Sequence, residues 1–197
     1  QMCIRDSHYF LSIEPCFSTF TFSGTCTIHL NAFKPVSEIR LKALELDIES
    51  CSLVQDKKKS DCSHELDSKN EDLIISLPFQ CAGEIILSIL YKGKINDKMA
   101  GFYRSSYKTN KGEEYIAVTQ FEESEARRAF PCMDHPAYKA RFSVELIVDD
   151  SFQALSNEKR EKEEQLPGAK KRIVFKTTPM MSTYLVFFGV GNFENII

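Results

Sequence analysis

Strict alternation of apolar and polar residues is the feature of this 197-residue chain that most constrains its fold. From position 20 to position 30 every even residue is apolar or small, and every odd residue is Ser, Thr or His. The same period of two returns from Phe142 to Val148. Successive side chains of an extended strand point to opposite faces, so this period predicts strands with one buried face. We therefore expect an all-β fold.

Further β-type segments fill much of the remaining chain. They cover positions 39–48, 73–77, 85–91, 101–107, 115–120, 172–176 and 184–193. The period slips once, at Ala43 and Leu44, which predicts a β-bulge, with a helix as the alternative. The one helical turn that we predict lies near Ala126. Together these segments predict an antiparallel β-sandwich, or saddle-shaped sheets, of about ten strands.

Two stretches are too polar to predict strands. Residues 55–71 are charged and rich in serine, which predicts an exposed loop or a hairpin tip. Residues 158–164 are a run of charges, which predicts an exposed loop. The first contains His64 followed by Glu65, which resembles the start of the H-E-x-x-H zinc motif. Ser68 stands where the second histidine ligand is required, so we expect no metal site there.

Composition excludes several classes of partner. The net charge of −3 argues against nucleic acid, because such binding depends on neutralising phosphates. No stretch approaches the roughly 18–20 consecutive apolar residues of a membrane span, and no charged-then-apolar leader opens the chain. We expect a cytoplasmic protein without membrane contact. We also expect residues 1–7 to be a non-native or disordered head, and residues 8–197 to form a single domain.

Seven cysteines occur at irregular spacings with no C-x-x-C pair. An odd number in a chain of this size predicts reduced, mostly buried thiols rather than a disulfide framework or a zinc site.

The segment 119–136 differs from the rest because it concentrates charges and two prolines. It follows the β-type residues 115–119, so Gln120 and Glu122 fall two apart and share one face of an extended strand end, with Phe121 on the other. Two polar side chains thus point together from an anchored backbone. Residues of this type at the end of a strand are also typical of solvated positions without a function.

Other residues of this segment have simpler explanations than chemistry. Arg127 and Arg128 could bind an anion, but ion pairs with Glu123 or Glu125 are the plainer interpretation. Cys132, Asp134 and His135 could suggest a nucleophile, yet neighbouring side chains usually diverge and no oxyanion hole is apparent. Asp134 is expected to cap a turn before Pro136.

Ordered motifs across the chain resemble one known family. They are Thr-Gln-Phe-Glu at 119–122, Ala-Arg-Arg-Ala-Phe-Pro-Cys at 126–132 with Asp134 and Pro136, Gly-Phe-Tyr-Arg-Ser at 101–105, Ala-Leu-Ser-Asn at 154–157, and Thr-Pro-Met-Met-Ser-Thr-Tyr-Leu at 178–185. The chain resembles the N-terminal β-domain of zinc metallo-aminopeptidases of the aminopeptidase N and puromycin-sensitive type. The resemblance extends from about Tyr9 to Glu194.

The resemblance implies that Glu122 binds the free α-amino group of a peptide and that Gln120 lines the pocket for its first side chain. It places the catalytic residues and the zinc ligands downstream, in a catalytic domain that this chain lacks. On this view the chain has no catalytic or metal-ligating residue of its own, and we expect it to be inactive alone. Its partners would be peptide N-termini and the missing catalytic domain.

The chain departs from the family pattern at His135 and Glu158, where the family commonly has an acid and a methionine. Neither departure touches Gln120 or Glu122, although His135 changes the charge of its turn and could introduce a modest pH sensitivity. The alternative hypothesis is a stand-alone β-sandwich that serves as a non-catalytic binding or scaffold module. Coding sequence beyond position 197 distinguishes the two.

Overall fold

The computed structural model describes residues 4–110 and 112–193. They form thirteen strands: β1 (Ile4–Cys16), β2 (Thr21–Lys42), β3 (Leu46–Gln55), β4 (Lys58–Asp67), β5 (Asp72–Lys94), β6 (Gly101–Thr109), β7 (Gly112–Gln120), β8 (Lys139–Asp149), β9 (Gln153–Ser156), β10 (Arg160–Leu166), β11 (Lys170–Phe175), β12 (Met181–Ser182) and β13 (Phe188–Gly191). Two short 3-10 turns, Ala126–Arg128 and Thr183–Leu185, are the helical elements of the described chain. The all-β fold is confirmed.

The strands make two sheets. The large sheet has nine strands in the order β10-β11-β8-β1-β2-β5-β3-β4, with β12 paired to β8, and the small sheet has the order β6-β7-β13-β9. Strand β1 pairs with β2 in antiparallel register but with β8 in parallel register, with Tyr9 opposite Phe142. A parallel pair needs a long connection, and here most of the chain lies between its two members.

An aromatic core joins the two sheets. Phe22 of the large sheet contacts Phe102 of the small sheet with ring centroids 5.3 Å apart, and Phe102 contacts Phe188 at 5.1 Å. Tyr9 and Phe142 stack at 5.1 Å on adjacent strands. All five of these side chains are buried. The alternation seen in the sequence therefore places Phe22 of β2 on the face that packs against the small sheet.

Three details of the predicted pattern are corrected by the structure. The slip at Ala43 and Leu44 is not a β-bulge but the loop that follows β2, and Glu45 in this loop has a positive φ of 57°. The polar stretch 55–71 contains β4, and the charge run 158–164 contains most of β10. Both strands lie at the ends of the large sheet, where a strand needs hydrogen-bond pairing along one side only and charged residues suit the exposed edge.

The predicted head at residues 1–7 falls partly outside the described residues, which begin at Ile4. Residues 4–7 belong to β1, where Ile4, Arg5 and Asp6 pair with Ala32, Asn31 and Leu30. That this head is foreign sequence stays a prediction. In the described part of the chain no helix has the length and apolar character needed to cross a bilayer.

Candidate functional site

Gln120 and Glu122 lie where the small sheet meets a tight turn. Strand β7 ends at Gln120, which pairs with Gly101 of β6. Gln120 and Glu122 are exposed, whereas Phe121 between them is buried, and Glu122 already lies in the turn that follows β7. The two polar side chains are therefore both accessible to solvent at the end of β7 and the start of the turn. We call this place the exposed edge.

The buried ring of Phe121 fixes the backbone between them. It contacts Phe130 at 5.8 Å and Phe188 at 6.0 Å, both in edge-on geometry. Two positions earlier, the hydroxyl of Thr119 accepts a hydrogen bond from the backbone N–H of Phe188 at 3.1 Å. Buried contacts therefore hold the backbone that carries Gln120 and leads into Glu122.

Neither polar side chain is engaged inside the protein. Within residues 4–110 and 112–193, the Gln120 amide and the Glu122 carboxylate have no hydrogen-bond or ion-pair partner. The partly buried carboxylate of Glu125, in the same segment, is by contrast paired with Arg128. The Glu122 carboxylate is thus available to a cation from outside the domain.

The turn after Phe121 is closed by backbone and charge. The Glu125 N–H donates to the Phe121 carbonyl at 3.0 Å, and the peptide bond between Glu122 and Glu123 is cis. Arg128 forms an ion pair with Glu125, as the sequence predicts, and a second one with Glu45 at 2.7 Å. The turn is therefore linked to the loop between β2 and β3.

Arg127 does not pair with Glu123 or Glu125, and that prediction was wrong. Its side chain is 13% exposed and pairs with Asp134 at 2.9 Å and with Glu71 at 2.6 Å. Asp134 is buried and also accepts a hydrogen bond from the Thr183 hydroxyl at 2.7 Å. Sequence reasoning missed Glu71 and Thr183, because no local pattern marks partners so distant along the chain.

Asp134 therefore does more than cap a turn, and Cys132 is not placed as a nucleophile. The Cys132 thiol is wholly buried, and burial raises its pKa well above the ordinary value. His135 is exposed and turns to its own loop, where Nδ1 accepts the Ala137 N–H at 3.2 Å. A thiol kept protonated and away from solvent cannot attack an external substrate.

The partial zinc motif has a structural role. Ring nitrogen Nε2 of His64 lies 3.2 Å from the carbonyl oxygen of Ile48, which ties β4 to β3. Within the described ranges no three His, Cys, Asp or Glu side chains are grouped so that they could hold a metal ion. The described residues therefore do not fit a zinc site.

One cavity of the described residues lies away from both Gln120 and Glu122. It has a volume of about 650 Å³ and a floor that includes Leu41 and Met133. Charges around it are already paired: Arg40 with Glu38 at 2.6 Å, Lys42 with Asp72 at 2.7 Å, and Arg127 with Asp134. Neither Gln120 nor Glu122 lines it. A cavity with internally compensated charges is a poor match for a charged ligand, so the exposed edge remains the candidate site.

Comparisons with known proteins all match this chain to a single family. A family model described as the Peptidase M1 N-terminal domain matches residues 5–185. The chain is 40% identical over 197 residues to the puromycin-sensitive aminopeptidase of Caenorhabditis elegans, covering 96% of this chain and 21% of that relative. It is 38% identical over 193 residues to aminopeptidase 2 of Candida albicans, covering 98% of this chain and 21% of that protein. Aminopeptidase M1 of Arabidopsis thaliana is 38% identical over 197 residues, which cover 95% of this chain and 22% of the plant protein. The chain thus spans about a fifth of the length of these curated relatives.

Proposed function

The chain belongs to the Peptidase M1 N-terminal domain family, and from this premise we propose that it is the substrate-anchoring domain of an aminopeptidase that removes N-terminal residues from peptides. Residues 8–197 form this domain in our proposal. Glu122 binds the α-amino group of the substrate, and Gln120 forms part of the wall of the pocket for the first side chain. The observation that carries the proposal is the exposed and unpaired carboxylate of Glu122 on a tightly packed backbone.

An enzyme that removes one residue from a chain end needs a group that recognises this end. The α-amino group, with a pKa of about 7.7–8.0, is largely cationic near pH 7. A carboxylate at a fixed position binds a substrate with a free amine more tightly, because the two form a charge-assisted hydrogen bond. A substrate with a blocked amine cannot form this bond. Glu122 meets both needs, since it is accessible and its backbone directly follows the buried Phe121.

Gln120 contributes shape rather than charge. It lies two positions before Glu122 on the same exposed edge, and its pairing with Gly101 fixes its backbone. An uncharged amide beside an amine-binding carboxylate can contact the first side chain without competing for the amine. The pair therefore supplies an anchor and an adjoining wall.

The catalytic part of the enzyme lies in a region of the longer protein that this chain does not include. We propose that this region carries the zinc ion of the complete enzyme, so no zinc ligand is assigned to the described residues and the chain alone is inactive. A cytoplasmic location is part of the proposal. It is supported by the six cysteines of the described chain, all of which are free thiols, because reducing compartments disfavour disulfides.

The test replaces Glu122 in the full-length protein. Glu122→Ala should lower kcat/KM for amino-acid arylamides by about 100-fold, the scale expected for losing a charge-assisted anchor. Glu123→Ala is the matched control, because it removes the adjacent exposed carboxylate and should stay within about threefold of the parent. A Glu122→Ala rate within a few-fold of the parent would show that the anchor is assigned to the wrong residue.

A further inference from the structure

Arg128 contacts both the turn that carries Glu122 and the loop between β2 and β3. It follows the turn that begins at Phe121, and its guanidinium reaches both Glu125 in that turn and Glu45 in the loop between β2 and β3. Its side chain is 22% exposed, so the contacts are made in a partly desolvated place. One side chain thus connects the turn to the large sheet.

The aliphatic stem of Arg128 also lies against β6, the strand that pairs with β7 at Gln120. A Cβ placed on Gly101 would lie 2.7 Å from the Cβ of Arg128 and 3.1 Å from its Cδ. Gly101 is the residue that pairs with Gln120 across β6 and β7, and its φ of +68° suits glycine. The absence of a side chain at Gly101 therefore allows the stem to lie directly against the backbone opposite Gln120.

Backbone hydrogen bonds within the turn link Arg128 to the residues around Glu122. The Arg128 N–H donates to the Glu125 carbonyl at 3.1 Å, and the Glu125 N–H donates to the Phe121 carbonyl at 3.0 Å. Two successive hydrogen bonds thus run from Arg128 back to the residue before Glu122. If Arg128 lost its contacts with Glu45 and Gly101, the turn carrying Glu122 would be held only through Phe121 at its start.

We propose that Arg128 is a positioning residue, which holds the turn carrying Glu122 in register with Gln120 through Gly101, Glu125 and Glu45. The inference rests on the proposed role of Glu122 as the amine anchor. Arg128 acts through that carboxylate and does not contact the substrate. Because its ion pairs are partly solvated, their removal should change the position of the anchor more than the stability of the fold.

The experiment measures binding of two probes to the full-length protein by calorimetry: leucine hydroxamate and the same hydroxamate without its α-amino group. Arg128→Gln and Glu45→Gln should each weaken binding of the amine-bearing probe by about tenfold and change binding of the other by less than about twofold. Arg160→Gln is the matched control, since it removes an arginine that pairs with Glu163 on the distant strand β10. This control should change the binding of neither probe.

Glu122→Gln separates the inference from the proposed function. If Glu122→Gln fails to discriminate between the probes, the amine-anchor proposal is overturned. If Glu122→Gln discriminates but Arg128→Gln and Glu45→Gln match the parent, the positioning role alone is overturned. Equal losses for both probes would assign Arg128 a purely structural role, which also overturns it. Should Arg128→Gln fail to fold, Glu45→Gln decides, because it leaves Arg128, Gly101 and Glu125 in place.

Discussion

The Thr183 hydroxyl donates a hydrogen bond of 2.7 Å to the buried carboxylate of Asp134, and this bond joins positions 49 residues apart. The other carboxylate oxygen pairs with Arg127, which in turn reaches Glu71 before β5. One acid therefore connects the segment after the candidate site to the last turn of the domain and, through Arg127, to the large sheet.

Replacement of this acid should destabilise the protein strongly. Asp134→Ala leaves Thr183 without its acceptor and leaves the poorly exposed Arg127 with Glu71 as its one carboxylate partner. We therefore expect a loss of about 3 kcal/mol in the free energy of unfolding. In a domain of this size that lowers Tm by about 6–12 °C. Thermal unfolding followed by circular dichroism measures it. Arg160→Gln, which breaks an exposed pair, should cost less than about 1 kcal/mol. Equal losses for the two variants would contradict the role of Asp134.

Asp6 should make stability depend on pH. Its carboxyl accepts a hydrogen bond from the Tyr9 hydroxyl at 2.7 Å, but its other oxygen has no partner among the described residues, and burial raises its pKa above the ordinary value. A raised pKa in the folded state means that the neutral acid is favoured. Its stabilisation is complete below the ordinary aspartate pKa of about 3.9 and is lost as pH rises through the raised pKa.

Asp6→Asn should therefore raise Tm at pH 7 by about 2–4 °C, and this gain should shrink towards pH 3. Asp67→Asn provides the control of opposite sign. Hydrogen bonds from Asn70 lower the pKa of Asp67, so its replacement should reduce Tm at pH 7 and have no effect at low pH. A gain from Asp6→Asn that is the same at every pH would exclude titration of Asp6 as the cause.

Gln120 should influence which substrates are preferred. If it forms part of the pocket wall, Gln120→Ala in the full-length protein should change the ratio of kcat/KM between a large and a small first residue by about tenfold. The preference for a free amine over an acetylated one should persist, because Glu122 is unchanged. Arylamides of alanine, leucine and arginine provide the comparison. An unchanged ratio across the three substrates would remove Gln120 from the pocket.

The thiols should differ widely in reactivity. Cys16 is exposed, and a hydrogen bond with the Ser18 hydroxyl is the main cause that lowers its pKa to about 7. Burial raises the pKa of the Cys26 and Cys132 thiols. Iodoacetamide at pH 7.4 should therefore alkylate Cys16 at least about 100-fold faster than Cys132. Peptide-level mass spectrometry of the native protein over time measures both rates. Rapid labelling of Cys132 in the folded protein would contradict its buried position.

The strands with one buried face could be predicted from the sequence because their period is complete. In residues 22–32 of β2 and in β8 the buried residues stand at every second position, so neither run needs information from elsewhere. The hairpin of β6 and β7 was equally predictable, because its turn residues separate two β-type segments. Gln120 ends β7, so its position at a strand end could be predicted from the sequence.

The edge strands could not be predicted in the same way. In β4 only Cys62 is buried, and in β10 no residue is, so their side chains carry no period that differs from that of a loop. Their backbone hydrogen bonds to β3, β5 and β11 define them, and these depend on distant segments. The ion pair of Arg127 with Glu71 was missed for the same reason. Glu123 and Glu125 are nearer in sequence, but the turn directs the Arg127 side chain elsewhere.

The parallel pairing of β1 with β8 has a consequence for the order of synthesis. His8 and Ser143, whose side chains hydrogen-bond across this pair, are separated by 135 positions, so β1 leaves the ribosome long before its neighbour exists. At ordinary elongation rates the interval is on the order of ten seconds. During that time β2 can occupy only one side of β1, and the other side exposes unpaired backbone groups to the cell. The nascent chain should accordingly depend on chaperones until β8 has emerged.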